Sequence, residues 1–294
     1  MTEAVAVAGR RAAWLAALRP KQWSKNILLF AGLLFAAKLG DATRWLEAFA
    51  AFAAYCLASS AAYLVNDVRD AEHDRAHPVK RRRPIAAGEL SERAALVLAA
   101  GLAAAAFALA GALGPWSVLF LAGFLALQAA YSLGLKHVVL IDVLAIGGLF
   151  VLRAAAGAEA VNVRISPWLL VCTALLALFL ALAKRRAELV LVVADETPGR
   201  PVLEGYSLAL VDQLVSVVAA STISSYALYT FTARPSKAMM ATIPFVLFGV
   251  FRYLYLIHRR DLGEEPELVL LTDPQTLLCV VGWAVTSALI LVTT

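Results

Sequence analysis

The sequence is poor in charged residues, histidine and cysteine, and each shortage excludes a class of protein. Charged side chains make up 16% of the 294 residues, against about 25% in soluble domains. Three cysteines stand singly in apolar stretches, and the four histidines show no metal-ligand spacing. The composition therefore argues against a water-soluble domain, a disulfide framework, and a zinc or iron–sulfur site.

Apolar residues are abundant: they form 62% of the chain, and the mean hydropathy is +0.77. A bilayer must therefore be the solvent for most side chains, and a membrane-crossing helix needs about 20 apolar residues. The sequence predicts an all-α integral membrane protein, a single polytopic membrane domain over residues 1–294 with nine transmembrane helices. The predicted spans are 24–40, 45–65, 93–113, 116–135, 138–158, 167–184, 207–232, 239–257 and 268–292.

The basic residues are concentrated on alternate connections between these spans. Twenty of the 26 Lys and Arg residues fall on one side and five on the other. The positive-inside rule then predicts a protein of the inner (plasma) membrane with a cytoplasmic N-terminus and an outer C-terminus. We expect residues 1–18 to be a cytoplasmic segment, and 66–92 and 184–206 to be functional cytoplasmic loops. Membrane lipid is an expected partner and nucleic acid is not.

An acidic motif closes the second predicted span. Asp67, Asp70 and Asp74 are spaced i, i+3, i+7 and share one stripe of a helix, which Asn66 borders. Three like charges repel each other unless a cation lies between them. Mg²⁺ is usually held by one or two carboxylates together with substrate phosphates. The motif predicts such a metal site; the alternative is a solvated helix end whose acids offset the following arginines.

A run of four basic residues, 80–83, follows the acidic motif and is flanked by Pro78 and Pro84. It could be a topology anchor that binds anionic lipid. Its nearness to the acidic motif favours a site in which carboxylates hold a metal, the metal holds a diphosphate, and cations neutralise the remaining oxygens. The candidate donor-binding cations are Lys80, Arg82 and Arg83 within this run, and Arg75 just before it.

Other polar side chains stand at the same predicted membrane face. Lys184 and Arg185 share a helix turn with Glu188, an acid that a simple positive-inside cap does not explain. Tyr131 and Lys136 close the fourth span, although an interfacial tyrosine is also typical of aromatic belts. Two charges, Asp142 and Arg153, lie inside the fifth span about 16 Å apart along the helix axis. We expect no direct pairing between them and leave their roles open.

The pattern N-D-x-x-D-x-x-x-D at residues 66–74, after the second of nine helices, resembles the UbiA superfamily of intramembrane prenyltransferases. Residues 19–26, 80–85, 131–136 and 184–189 resemble its decaprenyl-phosphate phosphoribosyltransferase branch. Other branches carry a second Asp-rich motif after the sixth span. Here that region offers Lys184, Arg185 and Arg186 with one acid, Glu188, and the later Asp195 and Glu196 do not form D-x-x-x-D. The exchange of carboxylates for cations suits a donor with an extra monophosphate and leaves the number of metals open.

The resemblance implies transfer of 5-phosphoribose from phosphoribosyl diphosphate to decaprenyl phosphate, in cell-wall arabinan precursor synthesis, with Mg²⁺ as cofactor. It also makes a homo-oligomer, such as a trimer, an expectation. The rival interpretations are an aromatic or quinone prenyltransferase of the same fold, and a non-catalytic transporter or lipid scaffold. The resemblance implies catalysis by Asp67, Asp70 and Asp74, which would bind the metal together with Asn66. The ribose 5-phosphate end or the ribose hydroxyls would be bound by Tyr131, Lys136, Lys184, Arg185 and Glu188. The acceptor phosphate would be oriented by Arg19, Lys21 and Lys25.

Overall fold

Regular structure is helical throughout the ranges that the computed structural model describes, which are 13–35, 40–76, 80–193, 201–233, 236–259 and 272–293, together with Val269. Short 3₁₀ helices cover Pro20–Phe30, Lys80–Arg82, Leu135–His137, Pro201–Gly205 and Ala238–Thr242. The α-helices, numbered in chain order, are α1 (Ala31–Phe35), α2 (Ala42–Arg69), α3 (Ala71–Ala76), α4 (Glu92–Leu113), α5 (Pro115–Leu133), α6 (Ile141–Ala160), α7 (Pro167–Val193), α8 (Leu208–Thr232), α9 (Ile243–Arg259) and α10 (Pro274–Thr293).

Eight of the predicted spans correspond to helices that are long and apolar enough to cross a membrane: α2, α4, α5, α6, α7, α8, α10, and α9 with the 3₁₀ turn before it. The all-α multi-pass class is thereby confirmed. The first predicted span, 24–40, instead covers part of a 3₁₀ helix and the five-residue α1, while residues 36–39 lie outside the described ranges. The predicted count of nine is therefore not confirmed.

The chain divides into two compact units, and the first comprises Met1–Leu33, Asp41–Ser132 and Ala155–Val163. Within it, α2 packs extensively on α4. The contact faces are built from alanine, including Ala95, Ala99, Ala106 and Ala110 of α4. Small side chains let membrane helices approach closely, so that van der Waals packing replaces the hydrophobic effect that lipid does not provide.

Two glycines of the first unit allow even closer contact. A Cβ on Gly157 would lie 2.1 Å from the carbonyl oxygen of Leu29, and a Cβ on Gly32 would lie 2.6 Å from Cα of Ala158. The segment that leads into α1 is therefore in backbone contact with the end of α6. This contact fixes the 3₁₀ helix that begins at Pro20.

The second unit comprises Leu34–Gly40, Leu133–Ala154 and Arg164–Thr294. Its core lies among α7, α8 and α9, with Phe179, Val211 and Leu256 buried. Before α10, Asp273 accepts hydrogen bonds from the backbone N–H and hydroxyl of Thr276, and Arg252 donates to its Oδ1 over 2.7 Å. These bonds, that of Arg252 first, hold the pKa of the Asp273 carboxyl well below its usual range.

Replacing Gly157 by alanine should destabilise the protein by about 1–3 kcal/mol, because the new methyl group forces backbone apart. Gly101→Ala is the matched control, since a Cβ at Gly101 meets nothing within 4 Å and alanine favours a helix by up to about 1 kcal/mol. Melting temperatures in detergent measure both. Equal melting temperatures for the two variants would contradict the close approach.

Candidate active site

The acidic motif lies where α2 passes into α3. Asp70 caps the C-terminus of α2, and the backbone N–H of Asp74 donates to the Asp70 carbonyl over 2.9 Å, so the helical path continues almost without a break. Asp67 and Asp74 are buried. Asn66 and Asp70 are half-buried, and Nδ2 of Asn66 donates to Oδ2 of Asp70 over 3.0 Å. The predicted helical stripe therefore exists.

Two arginines neutralise the buried acids. Nη2 of Arg19 lies 2.6 Å and 2.8 Å from the two carboxylate oxygens of Asp67. Nη1 of Arg83 lies 3.2 Å from Oδ1 of Asp67 and 2.6 Å from Oδ2 of Asp74. We call Arg19, Asp67, Asp74 and Arg83 the arginine–aspartate cluster. Its formal charges cancel, which is how two buried carboxylates can stand side by side.

Arg19 reaches the cluster through an unusual backbone. Its φ of 52° and ψ of 57° are left-handed, a conformation that costs a non-glycine residue roughly 1–2 kcal/mol. The neighbouring Leu18 carbonyl accepts a hydrogen bond from Oγ of Ser60, which in turn accepts one from Nε1 of Trp23. The guanidinium also lies 4.9 Å from the ring centre of Tyr63. These contacts hold the strained residue in place.

Arg83 is positioned by a compact turn. Its backbone N–H donates to the Lys80 carbonyl over 2.9 Å, and its carbonyl accepts from Ala87 over 2.8 Å. Ile85 and Leu90 are buried against α2 and α4 and anchor the loop. The sequence analysis named both Arg82 and Arg83 as candidate cations beside the acidic motif. The structure places Arg83 on it and leaves Arg82 exposed.

The structure also places the other predicted site residues of the first unit. Arg75 pairs with Glu92 over 3.3 Å, where both side chains are about half exposed. Lys21 is exposed, and Nζ of Lys25 donates to Oε1 of Gln22 over 2.6 Å. Lys80 begins a 3₁₀ turn and Tyr131 lies in the last turn of α5; both are half-buried. His77 and Pro78 lie outside the described residues.

In the second unit, α7 continues to Val193, so Lys184, Arg185 and Glu188 belong to a helix rather than to the connection after it. Arg185 is 1% exposed; its Nε donates to Oδ2 of Asp142 over 2.6 Å, and its Nη1 donates to Oε2 of Glu188. The hydroxyl of Tyr206 donates to Oδ1 of Asp142 over 2.7 Å. We call these four residues (Asp142, Arg185, Glu188 and Tyr206) the buried polar network.

The Tyr206 hydroxyl also accepts a hydrogen bond from the backbone N–H of Leu140 over 2.7 Å. Leu140 has a positive φ of 66°, a conformation that needs such support. Burial first, and then the bond to Asp142, raise the pKa of Tyr206 to about 12. The phenol therefore stays protonated at neutral pH and can donate to Asp142.

The network answers what the sequence left open about Asp142: its partner is Arg185, 43 residues further along the chain. Nη1 of Arg153 donates to the Leu149 carbonyl over 3.1 Å, and its guanidinium lies beside the ring of Phe150. A charge inside a span signals that a partner exists. The charge alone does not identify that partner, and no feature of the sequence marked Tyr206 as a member of the network.

Comparison with known proteins identifies the family. Residues 26–273 match the UbiA prenyltransferase family. The chain belongs to this family. Its relatives include decaprenyl-phosphate phosphoribosyltransferase of Mycobacterium tuberculosis, 35% identical over 92% of this chain and 91% of that protein. The protein of the same name from Corynebacterium glutamicum is 34% identical over 91% of this chain and 83% of that protein.

A solved structure shows the same fold in another member of the UbiA family. A UbiA homolog from Archaeoglobus fulgidus, bound to GPP and Mg²⁺, superposes with a TM-score of 0.73 at 18% identity, covering 96% of this chain and 100% of that one. The resemblance that the acidic motif carried is thus confirmed at the level of the family. As a UbiA family member with phosphoribosyltransferase relatives, the protein is a transferase by descent.

Replacing Arg185 by methionine should destabilise this UbiA family member by roughly 3–5 kcal/mol, because two carboxylates lose their buried counter-ion. Arg44→Met is the control, since Arg44 pairs with Glu47 at the surface and exposed pairs contribute little. Thermal unfolding and size-exclusion profiles in detergent measure both variants. A similar, small change in both would show that Arg185 is not the counter-ion of a tightly coupled network.

Proposed function

We propose that the protein transfers 5-phosphoribose from phosphoribosyl diphosphate to the phosphate of decaprenyl phosphate, releasing diphosphate. The observation that carries this proposal is the 35% identity, over nearly the whole chain, with a decaprenyl-phosphate phosphoribosyltransferase. In the reaction, the bond between C1 of the ribose and the diphosphate oxygen breaks. A bond between C1 and an acceptor phosphate oxygen forms.

The acidic motif and the cations beside it suit this chemistry. Substitution at an anomeric carbon passes through an oxocarbenium-like transition state, so stabilising the departing diphosphate matters more than activating the nucleophile. The acceptor is already an anion and needs no strong general base. Arg83 lies among the acids, while Lys80 is half-buried and Arg82 exposed in the turn before it. These three cations would neutralise the diphosphate oxygens as the bond breaks.

Mg²⁺ fits the donor set that the motif offers. Asn66, Asp67, Asp70 and Asp74 supply hard oxygen ligands, and a guanidinium already bridges two of the carboxylates, which marks the position as one that favours a cation. Within the described ranges, no three His, Cys, Asp or Glu side chains could hold an ion by themselves. A metal that arrives with the diphosphate and takes one or two carboxylates agrees with that finding. When bound, Mg²⁺ would supply positive charge to the diphosphate.

The acceptor needs cations of its own, because donor and acceptor are both anionic. The sequence assigned Arg19, Lys21 and Lys25 to the acceptor phosphate. We retain Lys21, which is exposed, and Lys25 for this role; Arg19 contacts Asp67 instead. The isoprenoid tail would lie against apolar helix faces. The charge asymmetry of the connections supports a plasma-membrane protein with a cytoplasmic N-terminus.

For the second unit, taken by itself, we propose that Lys136 and Lys184 bind an anionic group of a substrate. Both are half-buried. Arg185 and Glu188, expected to share this role, are engaged with each other, and Arg185 is buried. Their contribution would be to hold this end of α7 in shape. Tyr131 of the first unit stays a candidate for contact with the ribose.

Asp70→Asn should reduce phosphoribosyl transfer by at least about a hundredfold while leaving membrane insertion intact, because a half-buried carboxylate that would hold the metal loses its charge. Glu72→Gln is the matched control: it lies in the same stretch of helix, is exposed, and falls outside the stripe. Membranes are incubated with decaprenyl phosphate, Mg²⁺ and donor that is radiolabelled in the ribose. Label that enters the organic phase measures transfer.

The same assay separates the rival functions. A prenyltransferase would leave the ribose label in the aqueous phase and would instead consume a prenyl diphosphate. A transporter or scaffold would produce no labelled lipid and show no dependence on Mg²⁺. Near-normal transfer by the Asp70→Asn variant would reject the metal assignment, and absence of transfer by the unmodified protein would reject the proposed function.

A further inference from the structure

The hydroxyl of Tyr206 joins three segments of the second unit. Tyr206 follows the 3₁₀ turn Pro201–Gly205 and is 6% exposed. Its hydroxyl donates to Oδ1 of Asp142 near the start of α6, and it accepts the backbone N–H of Leu140, each over 2.7 Å. Asp142 in turn accepts from Nε of Arg185 in α7 over 2.6 Å. One phenol therefore connects the turn, the connection before α6 and, through Asp142, α7.

The hydrogen bonds of this phenol are used inside the protein. A tyrosine hydroxyl has a single proton to donate, and Tyr206 gives that proton to the fully buried Asp142. The raised pKa of Tyr206 keeps the proton on the phenol at neutral pH. Tyr206 could donate to a substrate only by abandoning a buried carboxylate, which is costly. Its role therefore depends on the segments that it holds.

The connection before α6 carries Lys136, which lies in the 3₁₀ helix Leu135–His137, four residues before Leu140. Leu140 has a positive φ of 66°, which is unfavourable for a residue with a side chain. The backbone N–H of Val138 donates to the Leu135 carbonyl over 3.1 Å, and that of Asp142 donates to the Val138 carbonyl over 3.0 Å. Because these bonds are continuous, fixing Leu140 also fixes the turn that carries Lys136.

Packing brings the turn before Tyr206 against the same connection. A Cβ on Gly205 would lie 2.4 Å from Cγ2 of Val139, so glycine permits a close approach here. Val202 and Leu203 are buried in the core of the second unit together with Tyr206, and Val139 packs against that core. The position of the hydroxyl is thus set by buried neighbours on both sides of the chain.

We propose that Tyr206 is a positioning residue, which keeps Lys136 and Lys184 in place to bind a phosphate group of a substrate. It holds Lys136 through the backbone of Leu140, and it holds Lys184 through Asp142 and Arg185, the residue next to Lys184. This inference rests on the proposed function, which assigns the two lysines to an anionic group. It adds the residue through which the lysines are oriented, at a distance from the phosphate itself.

The first test removes the hydroxyl and keeps the ring. Tyr206→Phe should raise the KM for phosphoribosyl diphosphate about tenfold, because the lysines lose their alignment, and leave kcat and the KM for decaprenyl phosphate nearly unchanged. Steady-state transfer of radiolabelled ribose measures all three. An increase confined to the decaprenyl phosphate KM would assign the lysines to the acceptor phosphate and still support positioning. Two unchanged KM values, or a loss of kcat alone, would overturn the inference.

Tyr226→Phe is the matched control. Tyr226 is also buried in the second unit, and its hydroxyl accepts from Nε1 of Trp283 over 2.7 Å and lies 2.6 Å from Oγ1 of Thr242. Its loss removes an equally bonded phenol from another part of the unit. The control should lower the melting temperature and leave both KM values unchanged. The same KM increase in both variants would show a general loss of packing and overturn the inference.

A second pair of variants keeps the inference testable if Tyr206→Phe fails to fold. Gly205→Ala places a methyl group against Cγ2 of Val139 and should displace the adjoining Tyr206 from the connection. We expect the same increase in one KM. Adding Val139→Ala removes the opposing methyl group and should restore the KM. An unchanged KM in Gly205→Ala, or an increase that Val139→Ala does not reduce, would contradict the proposed positioning.

A double variant tests whether Tyr206 acts through the lysine. Lys136→Gln combined with Tyr206→Phe should raise the KM by less than the product of the two single effects. A full product would show that the residues act separately and would overturn the inference. The proposed function fails if the unmodified protein transfers no ribose to lipid. The inference alone fails if the unmodified protein transfers ribose and Tyr206→Phe does so with both KM values unchanged.

Discussion

The structure depends on the neutralisation of buried carboxylates by guanidinium groups. Burying an isolated charge costs several kcal/mol even after relaxation. Removing one partner of a buried ion pair therefore lowers the stability by more than the intact pair raises it. In the first unit, Arg83 bridges Asp67 and Asp74. In the second unit, Arg185 bridges Asp142 and Glu188. Arg185 and Asp142 are 43 residues apart, so that pair fixes which two helices meet, whereas Arg83 ties a neighbouring turn to acids 9 and 16 residues before it.

The sequence was sufficient for features that depend on short spacing. Apolar length located eight of the membrane helices, and the i, i+3, i+7 spacing placed Asp67, Asp70 and Asp74 on one helical stripe. Pairings between distant residues could not be predicted. Arg19 lies 48 residues from Asp67, and Tyr206 lies 64 residues from Asp142. No periodicity links such positions, because the packing of separate helices decides them.

Two differences from the sequence-based expectations have physical causes. The apolar run of the sixth span stops before Lys184, yet α7 continues to Val193, because Arg185 pairs with the buried Asp142 and with Glu188, and residues 189–193 are again apolar. The first predicted span begins with a 3₁₀ helix instead. There, Pro20 starts the helix, and a glycine contact with α6 holds the backbone. Hydropathy counts apolar residues, and it does not register either effect.

The two bridges have different consequences for anion binding. Arg83 is about a quarter exposed and has nitrogens that the acids do not engage, so it can hold the acidic motif and still contact a phosphate. Arg185 is buried with Asp142, and the positive charge of Arg185 is neutralised within the buried polar network. A cation that neutralises an acid therefore serves a substrate only where the pair reaches the surface. By this criterion, Lys136 and Lys184, both half-buried, are better candidates for substrate contact in the second unit than Arg185.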